Sequence, residues 1–539
     1  MFTVILQVRQ KLFTAGCYNT AKSKSSEVSP MLFKGPLCGA LCAMLLLSAA
    51  QPALADEGPD PAGYENAVTV TLDGETVRAD GKPVPEDDPA AAVYTARDIV
   101  YYEAGHDFTY GEGTAADEHT AAEAAEHTVV HIARPGTYVL QGTLEKGQIA
   151  VDLGEDAASD PDAVVTLVLD GADIICTVAP AVIFYNVYEC DQDGTSGIEP
   201  DLSGAGARVV VADGSVNNVT GSYVARIYKS YTLNEDGTAV ADSKKLHKYD
   251  GAFYSKMSML VSGGTEGTGV LNITAENEGL DTEMHLTIDG GNINIRSGND
   301  GINVNEDDLS VVTVNGGVLS VAVTGETGEG DGIDSNGALV VNAGTVTVQA
   351  CSRSADAGLD AATGIYLNGG MVIATGSMLD SVEASDQCCA VFAFPKSRTA
   401  GARYALTDTQ GNELMAFTPE NDFSILLMTC PALEEETEYS LSADGAVIPV
   451  GAGGMDGGFR GGMGSGPAMP DGQRGDTPPE PPEGVEPGEV PEPPEGMEPG
   501  EVPEPPEGVG AGRQPSQPGT PTESGETFTL SPGLNMFSA

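Results

Sequence analysis

The sequence predicts an all-β fold, namely a parallel β-helix (solenoid) followed by a small C-terminal β cap and a disordered Pro/Glu-rich segment. Turns made of Asp or Asn, then Gly or Ala, then Gly recur at residues 289, 315, 342 and 368, which are 26 or 27 residues apart. Each turn is flanked by short strands whose apolar residues alternate. A repeat of this size cannot bury its apolar face alone, so we expect the repeats to stack on one another.

The alternating apolar positions fall in the same place in every repeat, which gives a period of two inside a period of about 26. We expect the turn residues Asn315, Asn342 and Asn368 to be structural, because Asn tolerates left-handed backbone and can stack as a hydrogen-bonded ladder at a corner. The expected inward-facing positions are Leu286, Ile288, Ile293 and Ile295, then Val312, Val314, Leu319 and Val321, then Leu339, Val341, Val346 and Val348, then Ile365, Leu367, Val372 and Ala374.

The chain divides by texture into seven segments. Residues 1–30 are an extended n-region or a misassigned start, and residues 31–55, from "MLFK" to "ALA", predict a signal peptide and hence a secreted or cell-surface protein. No other segment is apolar and long enough to predict a membrane span. The remaining segments are a polar N-terminal region and cap (56–130), the β-helix (131–384) with an insertion at 192–250, a C-terminal β cap (385–450), a Gly/Met then Pro/Glu spacer (451–524) and a possible returning edge strand (525–539).

Composition narrows the classes of partner. The formal net charge of −55 argues against nucleic acid, because no basic face is present to neutralise phosphates. The six cysteines left after signal cleavage lack zinc-site spacing. The histidines His106, His119, His127 and His131 admit a metal site, but the surrounding "AAEAAEHTVV" favours a solvated linker helix.

A phrase of acid, Gly, Ile or Leu, and acid or Asn recurs as "NEGLD" (277–281), "NDGIN" (299–303), "GDGID" (330–334) and, with a displaced acid, "DAGLD" (356–360). Stacked coils are about 4.8 Å apart. Two carboxylates at that distance repel by roughly 1 kcal/mol in water and roughly 3 kcal/mol at an effective dielectric constant of 20. Calcium, with oxygen ligands at about 2.3–2.6 Å, would turn this repulsion into binding. The alternative is a set of solvated turn residues in an acidic protein.

These phrases, together with "GTYVLQGTL", "LVLDGADI", "DGAFYSK" and "NGGMVIATGS", resemble a family of secreted, calcium-binding, carbohydrate-binding proteins related in fold to pectate lyases. The resemblance implies a right-handed parallel β-helix that binds acidic, pectin-like polysaccharide through calcium without cleaving it. Ala357 departs from a fully regular acid ladder. The calcium ligands that the resemblance implies are Asp300, Asp331, Asp334 and Asp360, with Asp281 and Asn303 as further candidates.

Two other functions stay open at this point. A polysaccharide lyase acting on uronate polymers would need a base beside the ions, and Arg296 is the candidate. A structural surface or adhesion protein, in loose association with a cell wall, is the other. In the insertion, Tyr228 and Tyr231 could stack on an acidic sugar and Lys229 could pair with its carboxylate. Arg296 in the repeats is a further candidate for contact with the sugar. The insertion also fits a solvated hairpin.

Overall fold

The computed structural model describes residues 66–452 and 525–539, apart from residues 75, 193 and 386. This part of the chain is nearly all β, as predicted; its helices are α1 (Ala121–Ala125) and two 3-10 turns at Ala157–Ser159 and Leu202–Gly204. The predicted signal peptide and nearly all of the predicted spacer lie outside the described residues. Within those residues, no helix has both the length and the apolar character that a membrane crossing requires.

The strands are numbered in chain order. Those up to residue 304 are β1 (Val68–Asp73), β2 (Thr76–Ala79), β3 (Lys82–Pro83), β4 (Val93–Ala96), β5 (Thr128–Ile132), β6 (Gly136–Leu144), β7 (Gly147–Asp152), β8 (Val165–Ile175), β9 (Val182–Asn186), β10 (Ala207–Val211), β11 (Val216–Gly221), β12 (Tyr228–Leu233), β13 (Val240–Lys245), β14 (Gly251–Ser255), β15 (Met259–Gly263), β16 (Val270–Ala275), β17 (Glu278–Thr282), β18 (Leu286–Ile288), β19 (Asn292–Ser297) and β20 (Ile302–Val304). The later strands are β21 (Val311–Val314), β22 (Val318–Val323), β23 (Ile333–Ser335), β24 (Ala338–Val341), β25 (Thr345–Gln349), β26 (Leu359–Ala361), β27 (Gly364–Leu367), β28 (Met371–Gly376), β29 (Val382–Ser385), β30 (Cys388–Arg398), β31 (Tyr404–Asp408), β32 (Glu413–Phe417), β33 (Phe423–Thr429), β34 (Glu438–Ala443), β35 (Ala446–Ile448), β36 (Gly451–Ala452), β37 (Phe528–Thr529) and β38 (Gly533–Ser538).

Three ladders of parallel strands form the repeating body, and the chain visits them in turn. The A ladder pairs β1, β6, β8, β10, β15, β18, β21, β24, β27 and β29. The B ladder pairs the ends of β6 and β8 with β11, β16, β19, β22, β25 and β28. The C ladder pairs β5, β7, β9, β14, β17, β20, β23 and β26, and β4 adds an antiparallel strand at its start.

The core lies between the ladders and is built from equivalent apolar residues of successive coils. In the B ladder, for example, Ile293, Leu319, Val346 and Val372 are register partners, and all four are buried. Every apolar position that the periodicity predicts to face inward is buried. Alternation identified the inward-facing positions, because successive side chains point to opposite sides of a sheet. Strands β21 and β24 are buried on their outer face as well, where Val311, Ala338 and Val340 form a small apolar cluster.

The turn between the A and B ladders carries the predicted Asx ladder. The Nδ2 of Asn315 donates to Oδ1 of Asp289 at 2.9 Å, that of Asn342 to Asn315 at 2.8 Å, and that of Asn368 to Asn342 at 2.9 Å. The expected stacking of these residues is confirmed, but the left-handed backbone falls on the last glycine of each turn (Gly291, Gly317, Gly344 and Gly370) rather than on the Asx residue. We call Asp289, Asn315, Asn342 and Asn368 the Asx ladder.

Part of the segment expected to be an insertion belongs to the ladders. Strands β10 and β11, inside residues 192–250, pair with their neighbours in the A and B ladders. The segment that leaves the body is therefore shorter than predicted, and it contains the antiparallel hairpin of β12 and β13. The sequence pattern did not separate β10 and β11 from the long connection that follows them, so the whole stretch was predicted to be one insertion.

The C-terminal region has its own apolar core. Strand β33 pairs antiparallel with β28 and with β30, so it covers the last strand of the B ladder. A second sheet runs β32, β31, β34 and β35, and β37 pairs with β34. Strand β38, from the end of the chain, lies parallel to β30 and antiparallel to β36.

Candidate functional site

Each repeated acidic phrase begins at the corner before one of the last four strands of the C ladder and ends inside that strand. Strands β17, β20, β23 and β26 are in register. This register stacks one acid or amide from each strand, one coil above the next. We call this set the downstream column, and its members are Asp281, Asn303, Asp334 and Asp360.

A second column comes from the residues just before the repeated glycines. The N–H of Gly279 donates to the carbonyl oxygen of Asp300, and that of Gly301 to the carbonyl oxygen of Asp331, both between neighbouring coils. We call Glu278, Asp300 and Asp331 the upstream column. Glu278 was not among the expected ligands, although its place in "NEGLD" matches that of Asp300 in "NDGIN".

The glycine of each phrase is required by close packing against the B ladder. A Cβ atom on Gly279 would lie 2.3 Å from Cγ2 of Ile295, and one on Gly301 would lie 2.1 Å from Cγ1 of Val321. The corner between the B and C ladders therefore has no room for a side chain. The glycine brings the backbone against the core, and the acids stand on either side of it.

Hydrogen bonds tie neighbouring coils together through the columns. Oδ1 of Asp300 accepts the N–H of Asp331 at 2.6 Å, and Oδ1 of Asp331 accepts the N–H of Ala357 at 2.6 Å. The amide of Asn303 donates to Oε1 of Glu278 at 3.1 Å. Each of these bonds uses one oxygen of a carboxylate and leaves the other available.

Three buried oxygen atoms in the columns have no hydrogen-bond donor: Oε2 of Glu278, Oδ2 of Asp281 and Oδ1 of Asn303. Asp281 is fully buried, and its other oxygen accepts the amide of Asn305 at 2.6 Å. A buried acceptor without a partner costs about 1–3 kcal/mol, and more when it is charged. The three atoms therefore mark a place where a positive ion or a donor would be stabilising.

The acids of both columns are difficult to ionise together. Burial, and then repulsion from neighbouring carboxylates, raises the pKa of Glu278, Asp281 and Asp300 well above the ordinary range. The same two causes raise the pKa of Asp331 to about 9 and that of Asp360 to about 7. A nearby cation would oppose both causes, because it favours the ionised form.

Two basic residues lie at the end of the columns where the hairpin leaves the body. Nη2 of Arg226 is 3.0 Å from Oδ2 of Asp250, and Nζ of Lys248 is 3.7 Å from Oε2 of Glu283. The hydroxyl of Tyr254 donates to Oε1 of Glu283 at 3.0 Å. Arg226 and Lys248 belong to the basic stretch of the insertion that was expected to contact an acidic sugar, and Asp250 and Tyr254 belong to "DGAFYSK"; the sequence did not predict that they meet the acid columns.

Aromatic side chains cover the neighbouring coil. The ring of His247 stacks on Tyr249 at 4.4 Å, and Tyr249 also packs against Tyr185 and Tyr254. His247 is buried, which lowers its pKa to about 4, so its ring is neutral at physiological pH. The outer face of the C ladder thus changes from aromatic at β9 and β14 to acidic at β17 and beyond.

The predicted sugar-binding residues of the insertion lie on strand β12. Tyr231 and Lys229 are exposed, and the Nζ of Lys245 lies 5.9 Å from the centre of the Tyr228 ring. The base of this hairpin meets the columns through Arg226 and Asp250. The start of β12 is bonded to the N-terminal region, because the N–H of Tyr228 donates to the carbonyl oxygen of Tyr110 at 2.9 Å. Tyr231 and Lys229 are therefore not placed in the columns.

Arg296, the candidate lyase base, is placed in the B ladder. It lies on β19 and forms an exposed ion pair with Glu420 of the C-terminal region. The structure does not bring it together with the acids of the C ladder. Its neighbours in register, Thr274 and Ala322, are uncharged.

The histidines near residues 106–131 have separate environments. His127 is buried, with Nδ1 at 2.9 Å from the Glu123 carbonyl oxygen, whereas His131 pairs with Asp98 at 2.9 Å. The expected solvated helix is present as α1, of which only Ala124 is buried. It ends at Ala125, however, so the expectation is wrong for His127, which is buried just before β5 enters the C ladder. In the part of the chain that the structure describes, no group of three or more His, Cys, Asp or Glu side chains has the arrangement of a metal site.

Residues 126–392 match a protein-family model described as "carbohydrate-binding domain-containing protein". The match covers just under half of the chain, includes both columns, and supports carbohydrate binding in general, with a polysaccharide as the expected partner. A solved structure, the polysaccharide lyase-like protein from C. thermocellum (gadolinium derivative), is 18% identical with a TM-score of 0.31, covering 59% of this chain and 94% of that chain. No curated protein matches the chain.

Proposed function

We propose that this protein binds acidic, pectin-like polysaccharide in a calcium-dependent way, without cleaving it. The observation that carries the proposal is the set of donorless buried oxygens on Glu278, Asp281 and Asn303. They lie within the segment that matches a carbohydrate-binding family. The alternative of solvated turn residues would explain neither the burial of these oxygens nor the crowding of carboxylates around them.

The donor set suits calcium better than a softer metal. The atoms are carboxylate and amide oxygens, which calcium prefers, and neither His nor Cys belongs to the columns. Coils about 4.8 Å apart allow oxygens from neighbouring strands to contact one ion of this size. The proposed ligands are Glu278, Asp281, Asp300, Asn303, Asp331, Asp334 and Asp360.

The columns differ in exposure along their length, so different members can have different roles in binding an ion. Glu278 and Asp281 are buried, whereas Asp334 and Asp360 are partly exposed. The buried residues would hold an ion, and the exposed residues would leave part of a bound ion open to solvent. Calcium held there supplies positive charge that attracts the carboxylate of a uronate.

We also infer that the three ladders form a right-handed parallel β-helix and that the protein acts outside the cell. Parallel strands in register over successive coils support the first inference, and the predicted signal peptide supports the second. Loose association with a cell wall follows from binding to wall polysaccharide. A lyase is not favoured, because Arg296 pairs with Glu420 away from the columns.

Binding to immobilised polygalacturonate tests the proposal. We expect retention in millimolar calcium, loss of retention in chelator, and no rise in absorbance from unsaturated products. A neutral polymer serves as the matched control. Cleavage with unsaturated products would make the protein a lyase, and equal retention with and without chelator would remove calcium from the account.

A further inference from the structure

The last strand of the chain completes the core of the C-terminal region. Strand β38 pairs with β30 over six residues, from Gly533 opposite Cys388 to Ser538 opposite Ala393. Its other side pairs with β36. The strand therefore lies between two others, and we call the space between β30 and β36 the strand slot.

Residues 525–539 also bring aromatic rings into this core. Phe528 and Phe537 lie 4.6 Å apart, and both pack against Phe392 at 5.4 and 5.6 Å. Phe528 also lies against Tyr439 at 6.3 Å. Without the segment, an apolar face and the backbone groups of β30 would be open, which is the kind of edge that accepts an added strand.

The segment is anchored beside the point where the chain leaves the C-terminal region. Val450 and Gly525 exchange two backbone hydrogen bonds of 2.9 Å. Residues 453–524 connect these two anchors in sequence. A connection of this length can reach at most about 260 Å, so its length does not by itself confine the strand to the slot of its own chain.

We propose that the strand slot also accepts residues 525–539 from a second copy of this chain, so that copies become linked by exchange of their C-terminal strands. Every contact made within one chain can be made equally between two chains, because slot and strand are identical in both. The choice then depends on concentration. The effective concentration of a tethered strand falls as its connection lengthens, so exchange between copies becomes significant when copies are crowded.

Cysteine cross-linking of the full-length mature protein distinguishes the two arrangements. Ala393 and Ser538 are register partners, and adjacent strands lie within the Cα distance that a disulfide requires. The variant carrying both Ala393→Cys and Ser538→Cys reports pairing within a chain. A mixture of the two single variants, unfolded and refolded together and then oxidised with oxidised glutathione, reports pairing between chains.

We expect the double variant to give a cross-linked monomer at about 10 µM. The mixture should give a cross-linked dimer whose yield rises about tenfold from 10 to 100 µM, because exchange is bimolecular. A mixture of Ala393→Cys with the exposed control Thr409→Cys should give none. The proposal is overturned if the mixture gives no dimer at 1 mM, if the control mixture gives as much dimer, or if the double variant fails to cross-link.

Discussion

The Asx ladder and the acid columns are both stacks of polar residues with one member per coil. They differ in how the hydrogen-bonding groups of the stacked side chains are satisfied. In the Asx ladder, Asn342 donates its amide to Asn315 and accepts the amide of Asn368. An amide has both a donor and an acceptor, so such a stack satisfies itself. A carboxylate has only acceptors, and the columns leave oxygens of Glu278 and Asp281 without donors.

The difference teaches that one repeat can produce a structural ladder and a candidate binding ladder from the same spacing. What separates them is chemistry and burial rather than geometry. The Asx ladder is exposed, and the neutral amides that complete it need nothing from outside the chain. The acid columns are largely buried and need a cation or protons to be stable.

The largest expected effect contrasts a glycine of the acidic phrase with a glycine of the Asx turn. In Gly301→Ala the new Cβ would lie 2.1 Å from Val321 and 2.5 Å from the Gly332 carbonyl oxygen, so the corner must move. We expect a loss of about 3 kcal/mol in the free energy of unfolding, measured by urea titration. The matched control Gly290→Ala, whose nearest atom is 3.3 Å away, should lose less than about 1 kcal/mol. Equal losses would show that the corner is not tightly packed.

The second prediction concerns pH and calcium. An unfolded Asp has a pKa near 4, whereas the folded values are raised to about 9 for Asp331 and about 7 for Asp360. The folded protein therefore binds protons more tightly, and its stability should fall as pH rises from about 4 to 9. Chelator-treated protein should melt at a lower temperature at pH 8.5 than at pH 5.5.

Calcium should remove most of that pH dependence, because the ion replaces the protons. At about 100 times its Kd, calcium would add about 2.7 kcal/mol at pH 8.5, which corresponds to a rise in Tm of roughly 3 °C for a chain of this size. Differential scanning calorimetry with and without chelator measures both effects. A melting temperature that calcium does not change at either pH would contradict the proposal that the acid columns bind calcium.

The third prediction exchanges the chemistry of the two ladders. Asp331→Asn should raise the stability of the calcium-free protein at pH 8.5, because an amide need not take up a proton on folding and still offers an acceptor for Ala357. It should reduce the calcium-dependent shift in Tm, because it removes a carboxylate ligand. Asn342→Asp should cost about 1 kcal/mol, because it removes the donor to Asn315, and should leave the calcium shift unchanged. If both variants respond alike to calcium, the two ladders are not chemically distinct.

The smallest expected effect is that of Arg296→Ala. Its partner Glu420 is exposed, and such surface ion pairs contribute about 0–1 kcal/mol. We expect polygalacturonate retention to be unchanged within about twofold. A loss of binding, or the loss of a cleavage activity, would restore this residue as part of the site.

Periodicity in the sequence was enough to predict the buried positions and the Asx ladder, because both depend on spacing along the chain. It was also enough to place acids of successive coils in register. It did not identify Arg226, Lys248 and Glu283 beside the columns, because these come together through the hairpin, whose path is not periodic. Nor did it identify β10 and β11 as coil strands, since a long connection follows them.

The most direct test is a calcium titration of the chelator-stripped protein, monitored by isothermal titration calorimetry and by native mass spectrometry. We expect saturable binding and added calcium mass in the unaltered protein and in Asn342→Asp, with both lost or strongly weakened in the variant combining Asp281→Asn and Asp331→Asn. Unaltered protein that takes up no calcium, or a double variant that binds it as well as the original, would contradict the account.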